Sequence, residues 1–174
     1  SQLRKIMSPK VSIIMGSISD LPIMEKAAKF LDTMEVPFEM NALSAHRTPA
    51  EVESFARGAK ERGIEVIIAG AGMAAALPGV IAALTPVPVI GVPISSSLEG
   101  RDALYAIVQM PPGIPVATVG IDGGMNAGIL ATSILALKDQ NVEKRYEEYR
   151  ASLAEKIVKV NAQLKEVKYK YKVN

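Results

Sequence analysis

Five times along this chain a short run of β-branched or apolar residues gives way to a small polar or glycine-rich segment, and then to apolar residues at helical spacing. Parallel strands cannot be joined by a tight turn and need a helical crossover, so this alternation predicts strands of one parallel sheet. Val11 to Met15 is closed by Gly16, and Ile23, Ala27, Phe30, Leu31 and Met34 then mark a helix from Leu21. Phe38 to Leu43 is the second strand. Thr48, Pro49 and Glu51 follow as N-cap, first helical residue and N3 partner of a capping box, and Val52, Phe55, Ala56 and Ala59 carry that helix to Gly63. Ile64 to Ala69 is apolar at nearly every residue, which fits a strand covered on both faces. Gly70-Ala71-Gly72 ends it, and a small-residue segment from Met73 to Leu84 leads to strand four, Val87 to Ile94. A polar loop from Ser95 to Gly100, a helix from Ala103 to Val108, strand five from Val116 to Ile121 and a helix from about Asn126 to Leu137 complete the series. The expectation is a doubly wound α/β core over residues 11–138, in which ligands bind beyond the carboxyl ends of the strands.

The chain has 174 residues, 49% of them hydrophobic, enough to fill one core without metal or disulfides. The whole of 1–174 reads as a single domain, with 1–10 as a leader and 139–174 as a C-terminal helix and tail. In that last segment Val142, Tyr146, Tyr149, Leu153, Ile157, Val160, Leu164 and Val167 recur at three- and four-residue steps. At about 1.5 Å per residue such a helix runs roughly 40 Å, longer than the sheet it follows. Part of its apolar stripe is therefore expected to pack on a neighbouring subunit, the alternative being that it wraps its own domain.

Several function classes are excluded by composition. Twenty basic and 18 acidic residues give a net charge of +2, too even a balance for a nucleic-acid binder, and the Lys168 to Lys172 run with its two tyrosines is short. No cysteine means no thiol nucleophile and no thiolate metal site, which fits a reducing compartment such as the cytoplasm. No apolar run reaches the roughly 18 residues of a membrane span, and Ser1 to Lys10 is not followed by a signal-type core.

Two segments at predicted strand ends carry chemistry. Gly16-Ser17-Ile18-Ser19-Asp20 offers a tight turn, hydroxyls and amides at a helix start, where an anion is favoured. Asp20 would repel phosphate, so it serves either as an acceptor for ribose hydroxyls or an amine, or as the cap of the helix beginning at Leu21. Ser44-Ala45-His46-Arg47-Thr48-Pro49 holds the only histidine of the chain beside a guanidinium. His46 reads as a proton-transfer group in an anion-attracting pocket, or else as a buried structural or solvent-facing histidine. It has no second histidine or cysteine to make a metal site. Gly70-Ala71-Gly72-Met73-Ala74-Ala75 fits a dinucleotide pattern superficially, but strand four ends in Gly91-Val92-Pro93-Ile94 with no acid for the adenosine ribose. It is better read as a glycine loop that lets backbone amides approach a phosphate or carboxylate, or as a point of close helix packing. With no tryptophan and 5% aromatic residues, a flavin site is not expected either.

Taken together, these segments, with Ala76-Leu77-Pro78-Gly79 and Ile107-Val108-Gln109-Met110-Pro111, closely resemble the N5-carboxyaminoimidazole ribonucleotide mutase family of de novo purine synthesis. The likeness spans roughly Val11 to Leu137, in order. It implies a three-layer, flavodoxin-like subunit in an octamer, a cofactor-independent reaction, and an isomerase that moves a carboxylate from the exocyclic nitrogen of an aminoimidazole ribonucleotide to ring carbon C4. The family's nucleotide-contacting positions fall on Ser17, Asp20 and Arg47, with Ser44 and Gly72 as neighbours and Gly16 and Ser19 in the same turn, and its catalytic imidazole falls on His46. Ala76 departs from the histidine that many bacterial members carry there. Direct carboxylation of aminoimidazole ribonucleotide by carbon dioxide is the nearest alternative activity, and a non-catalytic nucleotide-binding module or a helix-mediated scaffold are the alternatives from other classes.

Overall fold

A computed structural model describes residues 7–174 of the chain; residues 1–6 of the expected leader lie outside the described part. The strands are β1 (Val11–Met15), β2 (Phe38–Ala42), β3 (Val66–Gly72), β4 (Val89–Ile94) and β5 (Ala117–Thr118). Between and after them come α1 (Leu21–Thr33), α2 (Pro49–Gly58), α3 (Leu77–Leu84), α4 (Arg101–Val108), α5 (Gly124–Ala136) and α6 (Gln140–Glu166). All strands are parallel in the order β2-β1-β3-β4-β5, the flavodoxin-like arrangement, and the chain reverses its direction of winding at β1 and β3.

Period-two alternation sorts the strand side chains between two cores. Val11, Ile13 and Met15 face α1 and α5, whereas Ile14 faces α2. Ile67 and Ala69 join Ile81 of α3 and Ala103 and Ile107 of α4 on that second face. The result is a sheet between two helical layers, as the unbroken apolar character of strand three required. Two glycines matter for how closely the layers approach. A Cβ at Gly124 would lie 2.0 Å from the Ile23 carbonyl oxygen, so α5 can rest on the backbone of α1 only with glycine there, and a Cβ at Gly91 would collide with Ile107 of α4 at 2.4 Å.

Three expectations are corrected. Strand five pairs with β4 only at Ala117 and Thr118, not from Val116 to Ile121. Pro93 of β4 presents its carbonyl to this edge, accepting from Asp122 N–H at 2.8 Å, but has no N–H to return, so the ladder cannot continue. The third strand begins two residues later than expected and runs through Gly70 to Gly72, carrying the glycine loop on its end. The capping box does not form. Thr48 Oγ1 instead accepts from Ser44 N–H (2.9 Å) and donates to Ser44 O (3.1 Å), closing the turn that holds His46.

The 27-residue α6 splits into two halves. Near its start Val142 is 4% exposed, Tyr149 meets Phe30 edge to face at 4.8 Å, and Arg145 Nε donates to Met34 O at 2.6 Å. Beyond Tyr149 the stripe is uncovered, with Ile157 64% exposed and Leu153, Val160 and Leu164 also in the open. The outer half of the helix therefore does not wrap its own domain. No helix among the described residues is long and apolar enough to cross a membrane.

Candidate active site

The carboxyl ends of β1, β2, β3 and β4 open onto one cleft of about 630 Å³, within the range of small-molecule sites. Gly16, Ser17, Ser19 and Asp20 approach it from β1, Ser44 to Arg47 from β2, Ala71 to Leu77 from β3, and Ile94 to Ser96 from β4. Every residue expected at the site on sequence grounds, Gly16, Ser17, Ser19, Asp20, Ser44, His46, Arg47 and Gly72, lines this one cleft. A second hollow of about 530 Å³ lies at the amino ends of the strands, where Lys10, Lys60 and Lys138 surround apolar residues with neither imidazole nor hydroxyl.

Arg47 ties the two opening segments together. Its Nη2 donates to Gly16 O at 3.0 Å, its Nε to Ser44 Oγ at 3.3 Å, and its backbone N–H to the same oxygen at 3.1 Å. A guanidinium has five N–H donors, so two are engaged in fixing the turn and the remainder stay available to an anion. Ser17 caps the short 3₁₀ turn Ile18–Asp20, its Oγ accepting from Ser19 N–H (3.3 Å) and Ser19 Oγ (3.0 Å). Both hydroxyls thus line the same cleft as Arg47.

Asp20 is 8% exposed and its side chain makes no capping bond to α1, which removes the reading of this residue as a helix cap. Burial pushes its carboxyl pKa up, and the backbone amides of Ser17 and Gly16 pull it part of the way back. No cation among the described residues forms an ion pair with it. A buried carboxylate at a cleft with no such ion pair retains acceptor capacity toward the cleft.

His46 is exposed on the turn after β2, so it is not a satisfied core histidine, and it adjoins the Arg47 guanidinium. Across the sheet, Gly72 stands at a point of close approach, to the end of β4 and not to a helix. It lines the cleft, and a Cβ there would come within 3.1 Å of Ile94 O and 3.5 Å of Ser96 Cβ. The loop beyond it is strained, with Met73 and Ala75 at φ +57° and +33°, conformations that cost non-glycine residues of order 1 kcal/mol each. Ala76 stands at the start of α3, half-buried against the cleft. No group of three or more His, Asp or Glu side chains among the described residues is arranged to hold a metal.

Sequence reasoning did not single out Ser95 and Ser96, which it placed in an ordinary polar loop. The available signal was their position: they follow β4, the next strand outward from β3, so the strand-end rule applies to them as well.

A flavodoxin-like sheet with hydroxyls, a guanidinium, a buried carboxylate and an imidazole at its switch point defines an α/β enzyme domain built for a small anionic ligand. A family model described as AIR carboxylase matches residues 10–156, and the chain belongs to that family. It is 61% identical over 150 residues to N5-carboxyaminoimidazole ribonucleotide mutase of Pyrococcus abyssi, covering 86% of each chain. With the mutase of Thermotoga maritima it shares 49% over 167 residues, 95% of this chain and 98% of that one. Phosphoribosylaminoimidazole carboxylase of Candida glabrata is 51% identical over 166 residues, which are 95% of this chain but 29% of that protein. Among solved structures, Treponema denticola PurE superposes with a TM-score of 0.81 at 33% identity, covering 91% of this chain and 99% of that one.

Proposed function

We propose that this chain converts N5-carboxyaminoimidazole ribonucleotide into 4-carboxyaminoimidazole ribonucleotide, with His46 as the single acid and base. The observation that carries the assignment of roles is the placement of the only imidazole of the chain beside Arg47 at the mouth of the switch-point cleft. Likeness to mutases along nearly their whole length supports the reaction, and neither the direct carboxylase nor a non-catalytic binding module is favoured.

Protonated His46 gives its proton to the exocyclic nitrogen as the N–C bond breaks, releasing carbon dioxide and a neutral amine. The electron-rich C4 of the ring attacks the carbon dioxide and forms the new C–C bond. Neutral His46 then takes the proton from the tetrahedral C4, restoring the aromatic ring and its own starting state. One imidazole closes the cycle, with no net proton gained or lost. Ser17, Ser19 and the free donors of Arg47 take the phosphate, Asp20 accepts from the ribose, and Ser44, Gly16 and Gly72 shape the floor of the cleft.

Carbon dioxide must stay beside the ring while it changes partners, and here the cleft is open, with His46, Arg47, Met73 and Ser96 all exposed. A neighbouring subunit supplies the missing cover in this reading, and the bare outer half of α6 is the surface through which subunits join, as an octamer in the cytoplasm. The test is a paired assay, with N5-carboxyaminoimidazole ribonucleotide and a carbon dioxide trap in one arm and aminoimidazole ribonucleotide plus bicarbonate, without the trap, in the other. Conversion in the first arm alone is expected; conversion in the second alone overturns the assignment in favour of a carboxylase. Sedimentation of the same sample is expected to give an assembly larger than a dimer, and a monomer overturns the octamer.

A further inference from the structure

Asp122 does not line the cleft, yet one wall of the cleft hangs from it. It lies in the turn between β5 and α5, in left-handed backbone at φ +58°, a conformation that aspartate and asparagine tolerate better than most residues. Its backbone N–H donates to Pro93 O at 2.8 Å, and its Oδ1 accepts the Ser95 N–H at 2.9 Å. It thereby grips the carboxyl end of β4 at two points. The next residue, Ser96, packs against Gly72, where a Cβ would find the serine Cβ at 3.5 Å and Ile94 O at 3.1 Å. Gly72 in turn leads into the strained turn at Met73 and Ala75, closed by Ala75 N–H to Gly72 O at 3.0 Å.

We infer that Asp122 is a positioning residue, which through Ser95 and Ser96 holds the β3 and β4 wall of the cleft in place opposite His46. His46 follows β2, on the other side of β1 from β3 and β4, and so flanks the cleft from the opposite side. Given the proposed reaction, on which this inference rests, a fixed wall on that side keeps freed carbon dioxide against C4. A loosened wall lets it escape: the N–C bond still breaks and the amine still takes its proton, but carbon dioxide leaves as bicarbonate and aminoimidazole ribonucleotide is the product.

Three variants of the full chain separate the possible roles. Asp122→Asn keeps the acceptor and tolerates the left-handed backbone, Asp122→Gly keeps only the backbone, and Asp122→Ala loses both. Substrate loss, 4-carboxyaminoimidazole ribonucleotide and aminoimidazole ribonucleotide are measured together. The asparagine variant is expected to stay within about threefold of the parent, whereas the glycine and alanine variants lose about tenfold in kcat with KM nearly unchanged and divert a larger share of substrate to aminoimidazole ribonucleotide. Full activity with parental partitioning in the glycine variant overturns the inference, as does a fall in all three with no change in partitioning. Amide hydrogen exchange at Ser95 and through residues 72–75 gives a readout independent of activity. Exchange there is expected to rise in the glycine variant and not in the asparagine variant; no rise in either overturns the inference even if the parent proves to catalyse another reaction. An inactive parent with the expected exchange pattern overturns the proposed function and leaves the positioning role standing.

Discussion

The two ends of the β1 and β2 pair handle a carboxylate in opposite ways. At the amino end Ser12, fully buried on β1, donates to Glu39 Oε1 at 3.0 Å directly across the register, and Arg62 grips both oxygens of the same carboxylate, at 2.5 and 3.1 Å. Arg62 also lies over the Phe55 ring at 5.8 Å. Hydrogen bonding from Arg62 is the main reason that the Glu39 pKa is lowered, against a smaller opposing effect of burial. At the carboxyl end Asp20 is almost as inaccessible as Ser12 but forms no ion pair among the described residues, and burial raises its pKa. One end is satisfied within the chain; the other keeps its hydrogen-bonding capacity open. That is the pattern expected where binding is preferred to stability, and each prediction below tests one side of it.

The largest effect is expected at the open end. His46→Asn retains the shape and polarity of the turn but cannot cycle a proton near neutral pH, so turnover should fall on the order of 10²- to 10⁴-fold while nucleotide binding persists, as read by calorimetric titration. Near-normal turnover would sink the assignment of His46. Arg47→Lys comes next. Lysine keeps the charge but cannot hold Gly16 O and Ser44 Oγ through two donors and still face an anion, so substrate KM should rise on the order of tenfold or more. An unchanged KM would mean that the guanidinium serves the turn alone.

The satisfied end should respond in stability and not in activity. Glu39→Gln removes the charge that Arg62 answers and should lower stability by about 1 kcal/mol, discounted because Arg62 is half exposed. Because the folded pKa of Glu39 lies below the unfolded one, its contribution is complete at neutral pH and is lost as pH falls through the lowered value. Thermal melts of the variant and the parent should therefore differ at pH 7 and converge in acid, with kcat/KM unchanged throughout.

How far the sequence disclosed these features depended on whether the signal was local. The apolar strands and the small residues at their ends are local patterns, so the doubly wound sheet and the edge that carries the cleft were legible, and Arg47 does join two segments that sequence alone could only place on the same edge. The capping box was misread because Thr48 had two uses available, and the turn around His46 took the hydroxyl that the helix start would have used. Strand five was read too long because the missing donor belongs to Pro93 on another strand. Ser95 and Ser96 depend on Asp122, 27 residues from Ser95, a tie that no periodicity reveals. The Glu39 and Arg62 pair was hidden for the same reason, since the two residues lie 23 positions apart.

The last test falls on Asp20, and its sign is the sharpest check of the contrast. A carboxyl whose pKa is raised by folding binds its proton more tightly in the native state, so it weakens the fold above the raised value and ceases to do so once pH drops below the ordinary aspartate range. Asp20→Asn should thus raise stability at pH 7, and the advantage should disappear in acid, the reverse of the Glu39 variant. Catalysis should move the other way, with KM for the ribonucleotide rising about tenfold as one acceptor of the ribose is replaced by a mixed donor and acceptor. A destabilised Asn variant at neutral pH would mean that the Ser17 and Gly16 amides more than offset the burial of Asp20. The two ends of the ladder would then be alike in energy and differ only in which partner answers the charge.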